Sequence, residues 1–365
     1  MQKQIRISLF CAFLVFSSTS IFAQEAPKVG APFLKIAPDA RSAGYGDQGA
    51  ATAPDNNSQF WNPAKYIFSD YKTGVSYTFT PWLRNSADDM NLHFLSGFYK
   101  IDDRQAVSAS LRYFSLGSIP FTDISGNLMQ DVKANEFAID VAYSRKFSEN
   151  LSSSVAFRYI RSDLTGSSNE QYKAGSVFAA DVALYYQKKL EINEIAFGVN
   201  VSNLGPKISY STDGEKSFIP ANLRLGARYT FNLNEQNKLS LLAETSKLLV
   251  PTPNIKNGID KNADKTVLEG IFSSFGDAPG GFSEEMKEFV YSLGAEYTYA
   301  KTVSLRTGYF HEAETKGNRK YFTFGLGANY KSFIFDVAYL VPTSSGNNSP
   351  LANTLRFSVG FKLDK

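Results

Sequence analysis

From about residue 72 onward the chain repeats one constraint: segments of roughly ten to fifteen residues in which apolar and polar side chains alternate, the period of a strand with two unlike faces. Phe137, Ile139, Val141 and Tyr143 alternate with Glu136, Ala138, Asp140 and Ala142. Leu355, Phe357, Val359 and Phe361 are set against Thr354, Arg356, Ser358 and Gly360 in the same way. Fourteen such segments can be counted, at about 72–80, 90–100, 104–115, 132–147, 150–162, 174–189, 191–204, 221–232, 238–247, 288–300, 302–312, 320–331, 332–341 and 351–363. Beyond residue 23 there is no apolar run of about 18 residues, so the sequence offers no helix to cross a membrane.

An even number of strands, each near the ~9–11 residues that a tilted strand needs to span a bilayer, fits an outer-membrane barrel and is not required of a soluble sandwich. The connections divide the same way. On these boundaries, links after odd-numbered segments run from about 7 to about 40 residues, and links after even-numbered ones reach at most about 5, as in barrels with long outer loops and short periplasmic turns. The fold predicted is all-β: a 14-stranded antiparallel transmembrane β-barrel over 71–365, preceded by a 24–70 segment in the position of a hatch or plug.

The first 23 residues predict export. Lys3 and Arg6 form a basic start, Ile7 to Phe16 an apolar run, and Ser17 to Ala23 a small-residue stretch, the pattern of a secretory signal peptide. Composition narrows the function. Lysine plus arginine number 38 against 35 acidic residues, which leaves no field for nucleic acid. There are two histidines, His93 and His311, and one cysteine, Cys11. That is almost no material for a metal cluster or a nucleophile–base pair, so neither an enzyme nor a cofactor is expected.

With the apolar set toward lipid, the other face carries charge into the lumen: Arg112, Arg158, Arg224, Arg228, Arg306 and Arg356, with Glu136, Asp140, Asp181, Glu244, Glu296 and Asp336. A charge on the lipid side would cost up to ~2–4 kcal/mol near the midplane, which fixes the register. These groups are expected to pair across the lumen and brace the barrel; lining a conduit is the other use they could serve.

The segment 24–70 lacks alternation and carries Asp39, Arg41 and Trp61-Asn62-Pro63-Ala64. Gly44-Tyr45-Gly46-Asp47-Gln48-Gly49 spells a dinucleotide fingerprint but lacks the preceding strand and following helix that would hold a pyrophosphate. Tight turns against a barrel wall explain the glycines better. The longest link, about 248–287, places Val267, Leu268, Ile271, Phe272 and Phe275 at the spacing of one helix face, with Phe282 after a Pro-Gly-Gly turn. Trp82 and Leu83 add an apolar cluster on the same rim. Exposed, such groups mark a partner-binding surface. Asp260, Asn262 and Asp264 begin like a calcium loop, but Lys265 stands where glycine is needed and Ile271 where glutamate is needed, so an ordinary loop is expected.

Phe33-Leu34-Lys35-Ile36-Ala37-Pro38-Asp39-Ala40-Arg41, Gly49-Ala50-Ala51-Thr52, Ser58-Gln59-Phe60-Trp61-Asn62-Pro63-Ala64-Lys65, and the loop run from Gly270 to Phe282 resemble the PorV family, outer-membrane proteins of the type IX secretion system. Asn62-Pro63-Ala64 is also found more widely, in FadL-like fourteen-stranded barrels with an N-terminal hatch. The resemblance implies a non-enzymatic shuttle or adaptor in outer-membrane lipid. It would receive the C-terminal domain of secreted cargo from an SprA/Sov-like translocon barrel and carry it to a PorU-like attachment complex. A FadL-like transporter of hydrophobic small molecules is the alternative.

Overall fold

The computed structural model describes residues 27–82, 89–122, 128–164, 173–211, 214, 216–256, 259–343 and 354–363. The signal peptide expected at 1–23 and Leu83 lie outside the described residues.

Strands β1 (Thr73–Pro81), β2 (Asn91–Lys100), β3 (Gln105–Thr122), β4 (Leu128–Lys146), β5 (Leu151–Asp163), β6 (Gly175–Lys189), β7 (Glu194–Leu204), β8 (Asn222–Asn232) and β9 (Asn237–Leu248) follow one another around a wall. A two-residue hairpin, β10 (Ile255–Lys256) and β11 (Ile259–Asp260), interrupts the series. It resumes with β12 (Phe289–Tyr299), β13 (Val303–His311), β14 (Lys320–Tyr330), β15 (Phe333–Pro342) and β16 (Leu355–Leu363). The wall closes where β1 pairs antiparallel with β16, from Thr73 opposite Leu363 to Phe79 opposite Phe357. Closure leaves no strand edge unpaired, the condition for a sheet to stand in hydrocarbon. Among the described residues no helix is long and apolar enough to cross a membrane.

Alternation is kept through the wall. In β5, Val155 and Phe157 face outward, while Ser154, Ala156 and Arg158 are buried. In β16, Leu355, Phe357, Val359 and Phe361 face out, and Arg356 and Ser358 in. A shift of one residue would turn Arg158 and Arg356 into lipid, so the pattern admits one register.

Tight turns at 101–104, 147–150, 190–193, 233–236, 300–302 and 331–332 lie on one rim; the strand ends joined by the longer links, such as Pro81 and Asn91 or Leu248 and Phe289, lie on the other. One expected long link is corrected. The connection after the third strand shrinks to 123–127, because β3 and β4 continue past the segments read from sequence and pair as far as Thr122 opposite Leu128. The alternation is interrupted there by a register shift between Ser115 and Ser118, where Gly117 adopts φ +78°, and a bulge hides the continuation from a period-two reading.

Residues 27–72 form short turns lying against the inner wall: a 3-10 turn Pro32–Lys35, helix α1 (Ala40–Ala43), helix α2 (Ser58–Trp61) and a 3-10 stretch Pro63–Phe68. Each is set by its own residues. Asp39 caps α1, its carboxylate accepting from the Ser42 N–H at 2.8 Å. Asn62 does the same for the last turn, accepting from the Ala64 N–H at 3.1 Å, with Pro63 at the first position, where no donor is needed.

Candidate functional site

Two regions carry the chemistry: the interior, where residues 27–72 meet the wall, and the outer rim.

Inside, the segment's polar atoms are met by hydroxyls and amides of the strands. Ser358 Oγ accepts from the Ala40 N–H at 3.0 Å, Ser144 and Ser152 donate to the Pro63 and Ala64 carbonyls at 2.9 and 2.7 Å, and Asn200 donates to the Trp61 carbonyl at 2.7 Å. Buried backbone groups need partners, and here the barrel supplies them. Where the backbone of residues 44–51 lies closest to the wall, the strands carry glycine: Gly198, Gly226, Gly294, Gly308 and Gly325. A Cβ on Gly198 would fall 1.9 Å from the Ala50 carbonyl oxygen, and one on Gly308 2.2 Å from the Tyr45 carbonyl carbon. Two of the fingerprint-like glycines serve the same contact: Gly44 lies against Gly325, and Gly46, with φ +90°, lies against the β13 backbone, whereas Gly49 packs under the Trp61 ring.

The segment's distinctive residues bind one another. Trp61 Nε1 donates to Asp39 at 2.6 Å. Arg41 pairs with Asp55 at 2.6 Å and reaches Glu296 of β12 at 3.3 Å. Asn62 donates to the carbonyls of Ala50 and Leu184 at 3.0 and 2.9 Å. Lys65, fully buried, donates to the Gly49 carbonyl and Thr52 Oγ1, both at 2.8 Å.

All twelve charges assigned to the lumen face are buried. Arg158 pairs with Asp140 at 3.2 Å and Asp181 at 2.8 Å, and Arg306 with Glu296 and Asp336, both at 2.6 Å. Pairing between facing strands is only part of the pattern. Arg356 binds Asp47 of the inner segment, Gln59 donates to Asp140 at 2.5 Å, and Glu244 accepts from the Gly49 and Ala50 N–H groups at 2.8 and 2.7 Å. Arg228 takes Glu194, at 2.6 Å. Two expected pairings are corrected. Among the described residues Arg112 has no carboxylate partner: it donates to the Leu34 carbonyl at 3.1 Å and lies 4.5 Å over the Phe60 ring. Glu136 accepts from Ser162 at 2.6 Å and meets no cation among the described residues. Asp47, Asp55, Gln59, Lys65 and Glu194 were missed. Four of them sit in the segment without a period, so nothing in the sequence showed which way they face.

On the outer rim, 249–288 folds as a fixed lobe. Its helix α3 (Val267–Ser273) begins with a reciprocal cap between Thr266 and Glu269. The base is an ionic knot: Lys247, at the end of β9, pairs with Glu285 at 2.7 Å and Glu288 at 2.6 Å, and Lys316 pairs with Glu284 at 2.9 Å and Glu288 at 3.0 Å. Burial alone would raise the Glu288 carboxyl, but hydrogen bonds from Lys247, Thr252 and Lys316 outweigh it and hold the group below its ordinary value. Lys316 is disfavoured as a cation by burial, yet its bonds to Glu284 and Glu288 raise it. Asp277 is raised by burial. Oxygens of Asp277, Glu285 and Glu288 lie within 4.8 Å of one another, and Lys247 and Lys316 already supply positive charge to this cluster. Asp260 caps its own turn, accepting from the Asn254 and Asn262 N–H groups at 2.9 Å, while Asn262 donates to the Thr252 carbonyl.

The apolar residues of the lobe divide into two sets, which corrects the reading of one helix face. Gly270 and Ser274 are buried, with Val267 and Ile271 half-buried beside them; Leu268, Phe272, Phe275 and Phe282 are exposed, Phe282 at 80%. At about 100° per residue, the stripe 267–271–274 lies next to 268–272–275, and only one of the two can face inward. Trp82 is half-buried on the same rim but turns inward, packed against the apolar cluster that includes Leu34 and Phe114.

Between lobe and inner segment a cavity opens on the outer rim, with about 130 Å³ of space open to water. Leu34, Lys35, Ile36 and Trp61 are among its lining residues, with Trp82, Arg224, Val290, Arg319 and Leu340 around them.

The family model described as type IX secretion system protein PorV matches residues 22–255, more than half of the chain. Solved structures of similar fold include the Pseudomonas putida toluene transporter TodX, at 12% identity and TM-score 0.53 over 94% of this chain and 100% of that one. A TodX deletion mutant described as a monoaromatic hydrocarbon channel matches at 13% identity and TM-score 0.56, over 90% of this chain and 99% of that one. The CymD monoaromatic hydrocarbon channel matches at 14% identity and TM-score 0.53, over 90% and 98%. At these identities the likeness is one of fold. A comparison with curated protein sequences finds no match.

Proposed function

The chain belongs to the family of type IX secretion system protein PorV, an outer-membrane β-barrel, and on that premise we propose that it is a non-enzymatic shuttle or adaptor. In this reading it binds the C-terminal domain of secreted cargo and takes it from an SprA/Sov-like translocon barrel to a PorU-like attachment complex. Residues 24–70 act as the hatch of the barrel formed by 71–365. The observation that carries the reading is the lobe: four large apolar side chains, Leu268, Phe272, Phe275 and Phe282, stand exposed on a scaffold pinned by buried lysines. A soluble surface does not keep such a patch without a use, and a pinned lobe loses little entropy when a partner covers it.

The alternative of a FadL-like transporter of hydrophobic small molecules is disfavoured by an interior crossed by ion pairs and backbone hydrogen bonds, where a continuous apolar path is required. Deleting 266–282 tests the proposal. The barrel is expected to assemble, with cargo and translocon lost from affinity purifications out of native membranes; their undiminished recovery would refute the adaptor.

A further inference from the structure

We infer that the cavity within the outer rim is a binding site for a polypeptide C-terminus, which it would take by a terminal carboxylate carried on an apolar last residue. The argument starts from the cations that line it. Arg319 pairs with Glu312 at 2.7 Å, Arg356 with Asp47, and Lys316 with Glu284 and Glu288. Two remain. The Lys35 side chain, exposed at the cavity, makes no hydrogen bond or close ion pair among the described residues; Glu312 attracts its charge from a distance and Arg319 repels it. Arg224 is buried, 9% exposed, with its guanidinium over the rings of Phe60 and Trp61 at 4.9 and 5.1 Å. Its carboxylate neighbour, Glu244, is 3.9 Å from Nε, and the other oxygen of Glu244 is held by the Gly49 and Ala50 N–H groups. Among the described residues the terminal nitrogens of Arg224 have no hydrogen-bond partner.

A guanidinium stacked in place with unused donors is preorganised for a planar, two-oxygen acceptor, and a carboxylate is the acceptor that matches its fork. Leu34, Trp82, Val290 and Leu340 line the same space and would cover an apolar group behind that carboxylate. A fatty acid shares this chemistry. The peptide is favoured because Asn222, Ser246 and Ser292 also line the cavity. An acyl chain would strip these groups of water and return no hydrogen bond, whereas a peptide backbone offers both donors and acceptors. The inference rests on the adaptor reading for the source of that terminus.

The test titrates the purified full-length barrel with a pool of dye-labelled hexapeptides of varied apolar last residue, as free acids and as C-terminal amides, with dodecanoic acid as competitor. The acids are expected to bind about tenfold more tightly than the amides. That preference should vanish in Arg224→Met and weaken in Lys35→Met, the latter changing an exposed side chain with no structural bond. Equal binding of acids and amides, or occupation by dodecanoic acid with no peptide bound, would overturn the inference. No cargo enters the titration, so its failure leaves the outcome of the 266–282 deletion standing, and the reverse also holds.

Discussion

Arg306 shows what an inward charge does in this barrel. Its guanidinium is buried between Glu296 and Asp336, each at 2.6 Å, and Arg41 from the inner segment reaches the same Glu296. Replacing it by methionine leaves two carboxylates buried with too little positive charge, a defect that costs about 3–5 kcal/mol when one partner of a buried pair is removed. Arg306→Met should therefore lower the urea midpoint of the detergent-solubilised barrel, and adding Asp336→Asn should recover part of the loss; an unchanged midpoint would mean that the pair is decorative. That Arg306 and Asp336 point inward was legible from their places in alternating segments. Their partners were only partly so. Arg356 was expected to meet another strand and instead binds Asp47, which lies in a stretch with no period to announce its direction. Arg112 shows the same limit, since ring stacking on Phe60 and a carbonyl replace the expected carboxylate.

At the scale of elements, the contact between wall and inner segment depends on missing side chains. Gly308→Leu would drive four carbons into the Tyr45 backbone, and the cheaper response is for the segment to move. Trypsin should then cut after Arg41 or Lys65 faster than in the parent protein; unchanged protection would show that the two surfaces are not in close contact. The lobe makes a prediction about pH. Glu288 is held below its ordinary 4.5, so its contribution is complete above that value and is lost as pH falls through the lower folded value. Lys316 is held above 10.5, so its contribution is complete below that value and is lost as pH rises past it. Asp277, raised above 3.8 by burial, acts with the opposite sign and softens the acid side. Hydrogen exchange of 249–288, corrected for intrinsic rate, should be slow and flat from pH 5 to 9 and quicken below about 4; a steady change through neutrality would contradict the assigned knot. The length and helical core of this loop could be read from sequence. Which stripe of α3 faces out could not, because both neighbouring stripes are apolar and packing of Gly270 against Pro251 and Phe218 decides between them.

For the molecule as a whole, the alternating faces and the unequal connections were sufficient to give a closed fourteen-stranded cylinder, because a membrane allows sheets no other solution. The extended β3–β4 hairpin escaped, hidden by its bulge, and so did the wiring of residues 27–72, which depends on the assembled interior. The proposed function divides the outer surface in two, with the wall facing lipid and the lobe offered to a protein partner. Photocrosslinking in living cells measures that division directly, with a benzophenone side chain placed at Phe157 in one strain and at Phe272 in another. The account predicts protein adducts from position 272 and lipid adducts alone from position 157. Protein adducts from position 157 with none from position 272 would contradict it.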